Sequence, residues 1–506
     1  SFRNPTYYYN FKSILILDNK NSYKTILKST SVFGSVQLVT IVTAIIKSKI
    51  VATLIGSYGY GVYSVLIHTS DLIKQISLVG IDVSGVRKIA EENSTKNENE
   101  LQYNIAVISK LVLISSFIGF ILATTLSLFL SAIIFSSSSY WYLFFFLAVA
   151  IFLNCLTAGN NAILQGNSKF SQLAKSNLIS NIVGLILIVP LFYFFKIEAI
   201  IYVIILTALV NYFVSKYFLR FLFISDVKIS FKSAIKSGDS IIKFGSLLML
   251  LSFLPVLANY IIQIFIGRID GLSEVGLFNV GIVILNTYVG FIFSAMSMEY
   301  YPRLVAQISD FKRLSSSVNQ QIEISLLIIT PILILFSIFS KFFIKIFFSS
   351  EFIPLVPMLD WAIFAMLFKA VSFPIGYLFI AKADSKVFVK TSLFFNFIFV
   401  IFCITGYYLK GFIGLGFSFL IYYFIHLIGV YLISSKRYNL RLDKNTIQIF
   451  FFNLLFCVAI FVMNFYSEIQ LLLVLKFFVL SGSLVYSLVT LNKLVPIFSY
   501  FKKERK

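Results

Sequence analysis

The chain has 506 residues, of which 59% are hydrophobic, with 58 Phe and a mean hydropathy of +0.92. A water-soluble core of this length cannot bury so much apolar surface, so the composition excludes an ordinary soluble protein. The formal net charge is +21, and the positions of those charges decide whether they orient a membrane protein or attract an acidic partner.

Apolar stretches long enough to cross a bilayer recur along the whole chain. No charged residue occurs between Lys110 and Lys169, which leaves room for two helices of about 20 residues and a break at "SSSSYW", residues 136–141. Long apolar runs favour helices over a barrel, because backbone polar groups in lipid must be satisfied within each segment. We therefore predict an all-α polytopic membrane protein with about fourteen transmembrane helices, spans 1 to 14, at residues 30–49, 61–80, 106–130, 141–161, 177–195, 199–222, 243–266, 278–299, 323–347, 358–380, 391–409, 412–433, 447–466 and 470–491.

The positive charges orient these spans. With the N-terminus inside, most of the 42 Lys and Arg residues fall on the inner side, including those of "SSKRYNLRLDK" and of the tail "KKERK". This pattern predicts that both termini are cytoplasmic and argues against a nucleic-acid partner. The first 29 residues are polar and basic apart from "ILIL", so we expect a cytoplasmic N-terminal segment without a cleavable signal peptide.

An internal repeat connects distant parts of the chain at one offset of 215 residues. Gly61 in "GVYSV" aligns with Gly276 in "GLFNV", "VRKIA" aligns with "YPRLV", and "KSNLISN" aligns with "KTSLFFN". Chance similarity among Phe- and Ile-rich helices does not explain three blocks that share one offset. We predict an N-lobe of spans 1–6 (30–223), a C-lobe of spans 7–12 (243–438), a C-terminal helix pair (446–491) and a basic cytoplasmic tail (492–506). Since six is even, the lobes form a parallel repeat about a pseudo-two-fold axis along the membrane normal.

The glycine-rich turn "GSYGYGVYS", its counterpart "GLSEVGLFNVG" and the block "YPRLVAQ" resemble the MOP exporter superfamily, and within it the Wzx-type polysaccharide (O-antigen) flippases. The resemblance covers roughly residues 24–490. It implies a flippase that moves undecaprenyl-diphosphate-linked oligosaccharide, such as an O-antigen, capsule or exopolysaccharide repeat unit, from the cytoplasmic to the outer leaflet of the bacterial inner membrane. It also implies transport by alternating access and allows for coupling to H+ or Na+. The partners that it implies are membrane lipid and, as further candidates, a polysaccharide polymerase and a chain-length regulator.

The two glycine-rich turns occupy equivalent positions in the repeat. The resemblance implies that the lobes meet and part there on the outer face, so these glycines are candidate hinges. For each single glycine, an ordinary tight turn remains the alternative. The candidate hinge residues are Gly56, Gly59, Gly61, Gly271 and Gly276.

No motif for hydrolysis or nucleotide binding occurs: G-x-x-x-x-G-K-[ST], H-E-x-x-H, G-x-S-x-G and C-x-x-C are all missing from the sequence. We therefore expect no enzyme activity and no cofactor. Cys155, Cys403 and Cys457 have no metal-like spacing and are interpreted as core-filling residues. With only two histidines in the chain, no metal site is expected.

Ionisable groups at membrane depth are functional candidates, because burying charge in lipid is costly. Span 2 holds the densest set: at 100° per residue His68, Asp71, Gln75 and Asp82 share one face, and Lys74 flanks it. We predict that this face lines a polar cavity. The alternative is an internal Asp71–Lys74 pair that only neutralises itself.

Further candidates fall into three groups. A diphosphate is a dianion that Arg and Lys bind well, so cations at both mouths of a cavity suit its passage. Positive-inside anchoring and hydrogen bonding between helices are the alternatives for the inner cations and the amides. The groups are Lys47, Lys49 and Arg268 at the outer ends, Arg87, Lys88 and Arg303 at the inner mouth, and Asn259, Gln263, Asn286 and Lys369 within spans.

Other functions remain open at this point. A lipid II flippase shares the basic cavity, whereas an ion-coupled multidrug exporter of the same superfamily would need an acidic cavity for cationic drugs. A membrane-embedded glycan polymerase would need a large outer catalytic loop, and a structural scaffold would need no cavity.

Overall fold

Every element described by the structure, a computed structural model, is helical. Residues 5–95, 97–222, 227, 229–308, 310–466 and 470–494 are described, with side chains from Val42 onward except at residues 95, 251, 298, 465, 470 and 471. The predicted basic tail therefore lies mostly outside the described residues. The α-helices are α1 (Pro5–Leu78), α2 (Ile81–Thr95), α3 (Glu98–Thr125), α4 (Ser127–Phe135), α5 (Trp141–Gly166), α6 (Phe170–Phe195), α7 (Ile200–Leu219), α8 (Phe231–Ser237), α9 (Asp239–Ile269), α10 (Leu272–Val283), α11 (Phe291–Ala306), α12 (Phe311–Ile338), α13 (Ser340–Phe347), α14 (Val356–Ala381), α15 (Ser385–Tyr438), α16 (Lys444–Phe465) and α17 (Gln470–Leu494). A π-helix, Ile284–Val289, joins α10 to α11.

Eleven stretches of the described residues are long and apolar enough to cross a membrane. The three longest are Val42–Leu78, Phe170–Leu219 and Ser385–Tyr438, and each contains a break in helical backbone, at Gly56, Lys196 and Lys410–Gly411 respectively. These breaks fall between the predicted spans 1 and 2, 5 and 6, and 11 and 12. The all-helical membrane architecture is confirmed, while the count of fourteen crossings stays a prediction.

Helix ends differ from the predicted spans by several residues. The predicted break at 136–141 is confirmed, because α4 ends at Phe135 and α5 begins at Trp141. By contrast, α3 begins at Glu98 rather than 106, and α6 begins at Phe170 rather than 177. Polar turns that extend a helix beyond the apolar region carry no hydropathy signal, so an apolar window misses them.

The long helix α15 is an antiparallel hairpin. Its backbone departs from helical geometry at Lys410–Gly411. On either side of that turn, Ser418 donates a hydrogen bond to the carbonyl of Phe402 at 2.7 Å, and Phe395 packs against His426 with ring centroids 4.6 Å apart. Residues at about equal distances along the chain from the turn thus face each other, as expected for two antiparallel helices.

The open end of this hairpin is closed by an ionic clamp. The guanidinium of Arg437 lies 2.6 Å from the carboxylate of Asp384, and the hydroxyl of Tyr438 donates to the same carboxylate at 3.0 Å. Burial acts to raise the pKa of Asp384, but these two donors and the backbone N–H of Val387 hold the pKa below its ordinary value. The clamp therefore favours the ionised carboxylate.

The 215-residue repeat is visible in the backbone as well as in the sequence. Positive φ occurs at three pairs of positions with this offset: Gly56 (67°) and Gly271 (93°), Ser168 (57°) and Ala383 (50°), and Lys196 (46°) and Gly411 (54°). Gly56 and Gly271 also share a ψ near 180°, a combination that only glycine adopts readily. The turns are therefore kept between the copies even where the residue type is not.

The chain forms two compact units, each described by itself. The first contains the chain up to Leu54 together with Leu66–Phe253, and the second contains Ile55–Val65 together with the chain from Leu254 onward. These units divide the chain differently from the predicted lobes at two short segments, 55–65 and 243–253. The lobe boundaries themselves stay predictions.

The core of the first unit is centred on α5, which packs against α2, α3 and α7. Phe144, Leu147 and Ile151 of α5 are fully buried. Gly159 lies against Val112 of α3, and an added Cβ would collide with that side chain. Large apolar side chains elsewhere point outward, which suits a surface in contact with lipid rather than water.

In the second unit, polar contacts attach the C-terminal helices to α12. The buried carboxylate of Glu323 accepts hydrogen bonds from Asn445 at 3.0 Å and Thr446 at 2.7 Å. At the other end of the same interface, Asn464 donates to Ser337 at 2.8 Å. Hydrogen bonds at both ends fix the register of α16 on α12.

Two helix backbones cross in direct contact at Gly61 and Gly276, within the second unit. An added Cβ at Gly61 would overlap the carbonyl oxygen of Leu272, and one at Gly276 would overlap that of Ser57. Gly61 and Gly276 are equivalent positions of the 215-residue repeat, and so are Ser57 and Leu272. Each glycine therefore meets the residue equivalent to the one that the other glycine meets. A pair at the same offset, Asn279 and Ser64, adds a buried hydrogen bond of 2.9 Å. The crossing therefore lies on the local two-fold axis that relates the glycine-rich segments.

We predict that Gly61→Ala and Gly276→Ala each destabilise the protein, because either methyl group would force the two backbones apart. The expected loss is about 1–3 kcal/mol of unfolding free energy or more. It can be measured as a lower midpoint for loss of the monodisperse peak when detergent-solubilised protein is heated.

Gly376→Ala is the matched control, since an added Cβ at this position in α14 meets nothing within 4 Å. This variant should unfold at the wild-type temperature or slightly above it, because alanine favours helix. Equal behaviour of all three variants would contradict the close crossing.

Candidate functional site

The predicted polar stripe of span 2 lies in the first unit and contains an ion pair. Lys74 Nζ is 2.8 Å from Asp71 Oδ1, with the Lys74 and Asp71 side chains 28% and 39% exposed. This is the neutralising pair that the sequence analysis left open as the alternative. Asp71 and Lys74 are therefore paired with each other, whatever else they contact.

Asp82 does not continue the helical face of Asp71, which corrects the sequence analysis. The 100° spacing assumes an unbroken helix, but α1 ends at Leu78, and both Val79 and Gly80 have positive φ. Asp82 then begins a new helix, in the first turn of α2. It nevertheless remains within electrostatic range of Lys74, so a second carboxylate faces the same ammonium.

The remaining members of the stripe are enclosed to different degrees. His68 is half-buried in α1. The side-chain oxygen of Gln75 is buried and has no hydrogen-bond partner among the described residues. Cys155, interpreted as core filling, is fully buried and lies within electrostatic range of Lys74. An unsatisfied amide oxygen beside an ion pair is a polar patch that a ligand group or water can complete.

The three predicted inner cations all pair with glutamates on their own helices. Arg87 lies 2.7 Å from Glu91, Lys88 lies 2.6 Å from Glu92, and Arg303 lies 3.0 Å from Glu299. Arg87 also packs its guanidinium 4.6 Å from the Phe244 ring, and Arg303 donates to Gln321 at 3.0 Å. These pairs reduce the positive field that a dianion would meet there.

The candidate hinge glycines have three different roles. Gly56 and Gly271 adopt the glycine-only backbone described above. Gly61 and Gly276 provide the close crossing, and Gly59 is buried within regular helix. The hinge role itself stays a prediction for all five glycines, of which Gly56 and Gly271 need glycine for their backbone conformation.

Glu351 caps the helix that starts after Gly56, which the sequence analysis missed. Its carboxylate accepts a 2.9 Å hydrogen bond from the backbone N–H of Ser57, and a Cβ at Gly56 would collide with it. A carboxylate at a helix N-terminus satisfies a free N–H and interacts favourably with the helix dipole. This long-range contact has no local sequence signal.

Lys369 and Asn286, two candidates from different spans, lie together in the second unit. Lys369 Nζ is 3.5 Å from Asn286 Oδ1, and Asn286 lies in the π-helix Ile284–Val289. The π-helix interrupts span 8, which the sequence analysis predicted as one continuous helix. Single π turns inside α-helices occur frequently at functional sites.

Aromatic rings surround the Lys369 ammonium. The Phe293 ring centroid lies 5.4 Å from Nζ and the Tyr423 ring centroid lies 5.5 Å from it. Next to Tyr423, at 6.3 Å between ring centroids, is His426, whose Nδ1 is buried without a hydrogen-bond partner among the described residues. No carboxylate of the described chain lies within 4 Å of Lys369, so neutral ring faces and an amide oxygen stabilise its ammonium without neutralising it.

The other candidates lie on α9 and on the first part of α1. Asn259 donates to the carbonyl of Pro255 on its own helix at 2.9 Å, and Gln263 is buried one turn further along. Arg268 is exposed at the end of α9. Lys47 and Lys49 are half-buried in α1, before the break at Gly56.

Several functional contacts were missed by sequence reasoning. The Ser64–Asn279 bond could have been found, because the 215-residue offset places these two positions in register. The rings around Lys369 had no such signal, since the chain contains 58 Phe and 28 Tyr and no period singles out two of them.

Comparison with known proteins gives a family and close relatives. The family model described as "Polysaccharide biosynthesis protein" matches residues 50–357, more than half of the chain. A protein of Shigella flexneri with the name "Putative O-antigen transporter" is 27% identical over 316 residues, which cover 59% of this chain and 71% of that protein.

Solved structures share the fold at low identity. A structure described as "Lipid II flippase MurJ, inward closed conformation" superposes with a TM-score of 0.69 at 13% identity, covering 92% of this chain and 99% of that chain. A multidrug resistance MATE family transporter of the MOP superfamily, in an inward-facing conformation, superposes with a TM-score of 0.59 at 14% identity, covering 80% and 94%. The chain therefore shares the fold of these two transporters.

We predict that Asp71 and Lys74 are energetically coupled. Asp71→Asn leaves the Lys74 ammonium with one carboxylate fewer, and Lys74→Gln leaves the Asp71 carboxylate without its partner. The losses of unfolding free energy in the two single variants should therefore add up to more than the loss in the double variant. A double-mutant cycle on thermal unfolding should give a coupling of roughly 0.5–2 kcal/mol.

The exposed pair Arg87–Glu91, with side chains 61% and 53% exposed, serves as the comparison. Arg87→Gln and Glu91→Gln should give a coupling near zero, because solvent screens exposed pairs. Equal couplings in the two cycles would show that the Asp71–Lys74 pair is not protected from water.

Proposed function

We propose that this chain, which belongs to the polysaccharide biosynthesis protein family and has the MOP superfamily fold, is a flippase for polyprenyl-diphosphate-linked oligosaccharides. The family match carries the proposal. The named O-antigen transporter that it resembles supports the same substrate class. In this proposal the saccharide moves from the cytoplasmic to the outer leaflet of the bacterial inner membrane, with both termini of the chain cytoplasmic.

Lys369 is the residue best suited to hold the diphosphate. An ammonium at membrane depth is costly unless it has a partner or a task. The ring faces of Phe293 and Tyr423 and the oxygen of Asn286 keep it in place without cancelling its charge. A dianionic headgroup could therefore bind Lys369 without first displacing a carboxylate.

Lys74 contributes in a different way. Asp71 and Asp82 both lie in its field, so this cluster holds more negative than positive charge. A cluster of this kind suits a coupling cation or proton better than it suits a diphosphate. We propose that it couples transport to H+ or Na+, while Lys369 holds the headgroup.

A multidrug exporter is the less suitable assignment. Cationic drugs would meet the uncancelled charge of Lys369, which repels them. The likeness to MATE transporters, at 14% identity, extends to the fold alone.

Replacement of Lys369 should impair transport more than it impairs folding. In a deletion strain of the native host, we expect Lys369→Ala to reduce surface glycan at least about tenfold, the loss expected for one interaction with a charged group. Lys369→Arg should keep part of the activity because it keeps the charge. Surface glycan is measured by immunoblot at matched membrane levels of each variant.

Lys243→Ala is the matched control, since this lysine is 76% exposed and pairs with Asp239. It should support wild-type glycan. Full complementation by Lys369→Ala would contradict the assignment of Lys369, and wild-type glycan in the deletion strain itself would contradict the proposed function.

A further inference from the structure

A small pocket lies at the start of α14, the end predicted to be on the outer side. Its cavity volume is about 150 Å³, and α14, α15 and α16 supply its walls. A pocket of this size is too small for an oligosaccharide and accommodates one small ring. Its lining residues are Pro357, Asp360, Trp361, Ile413, Phe461 and Asn464.

The polar wall of this pocket accepts hydrogen bonds. Asp360 is half-buried near the start of α14, and it accepts no hydrogen bond and has no cation within 4 Å among the described residues. Asn464 uses its Nδ2 to donate to Ser337 at 2.8 Å, which leaves its carbonyl oxygen as an acceptor. An occupant that supplies donors would suit both groups, since a half-buried carboxylate without partners is costly.

The lining of the pocket is also aromatic. The Trp361 indole meets Phe461 edge-on with centroids 4.5 Å apart and meets Phe417 edge-on at 5.0 Å. These contacts fix the orientation of the indole beside the carboxylate. An occupant must offer an apolar face as well as donors.

A cation does not fit this site. Lys341 and Lys476 both lie within electrostatic range of Asp360, and Lys476 of α17 is itself buried. Their two positive charges oppose the one negative charge of the carboxylate, so an ammonium or Na+ would be repelled. The remaining class is a neutral molecule with several hydroxyl groups and one apolar face, which describes a pyranose ring.

We propose that the pocket of Asp360, Trp361 and Asn464 is a subsite for one neutral pyranose residue of a glycan. Hydroxyl groups of the sugar donate to Asp360 and Asn464, and the C–H face of the ring packs on the indole. The inference rests on the proposed function for its source of sugar, and it adds a contact outside the Lys369 cluster. It assigns a saccharide-selecting role to α14 and to the helix pair beyond the repeat.

Intrinsic fluorescence can test this subsite, because the chain has only two tryptophans, Trp141 and Trp361. In Trp141→Phe protein, reconstituted in nanodiscs free of glycoside detergent, Trp361 is the sole reporter. Titration with glucose, galactose, mannose and N-acetylglucosamine should give a saturable emission change for at least one sugar, with half-saturation in roughly the millimolar range. Asp360→Asn in the same background should weaken that binding at least about tenfold. Glu198→Gln, an exposed acid in the first unit, should leave it unchanged.

Two further arms identify the occupant. A polyprenyl-phosphate-linked sugar in the nanodisc should bind more tightly than the free sugar if the source is a membrane-linked glycan, whereas equal affinity would indicate a free saccharide. A saturable response to ethanolamine or NaCl without one to any sugar would overturn the proposal, as would unchanged sugar binding in Asp360→Asn. Complementation separates the two claims: normal surface glycan without a Trp361 response rejects the subsite alone, and sugar binding without glycan export rejects the flippase.

Discussion

Close backbone contact between Gly61 and Gly276 is the constraint on which the second unit depends. Helices can approach this closely only where no side chain intervenes, so both positions must be glycine. The contact is reciprocal, because Gly61 packs on the backbone of Leu272 and Gly276 packs on the backbone of Ser57, the equivalent residue of the repeat. Ser64 and Asn279 then hydrogen-bond at the same crossing. Together with the glycine-only turns at Gly56 and Gly271, the crossing fixes where α1 and α10 begin their packed segments.

The two charged clusters have different electrostatic characters, which suits two tasks. Lys74 pairs with Asp71 and has Asp82 within electrostatic range, whereas Lys369 lies near two rings and an amide oxygen. The first can exchange a small cation with little change in net charge. The second keeps a positive charge available for an anion. The proposed division of tasks between a coupling ion and an anionic headgroup rests on this difference in charge.

Sequence reasoning captured what hydropathy, charge and repetition encode. The all-helical membrane fold, the resemblance to the polysaccharide flippases and the break at 136–141 were predicted and are confirmed. The prediction that Asp71 and Asp82 share one helical face was wrong, because a uniform helical period does not reveal the break at Val79 and Gly80. The aromatic rings around Lys369 could not be predicted either. They come from helices far apart in the sequence, and the chain has many other aromatic residues.

The π-helix Ile284–Val289 has a mechanical consequence for α11. Such a stretch holds about one residue more than α-helical turns of the same height, so it stores a small excess of chain. Conversion to regular α geometry would turn Phe291–Ala306 about its own axis by about 100° relative to α10. Asn286 would then withdraw from Lys369 while Arg303 withdrew from Gln321. A single local rewinding would thus release one tether to α14 and another to α12, and would allow α11 to swivel as a unit.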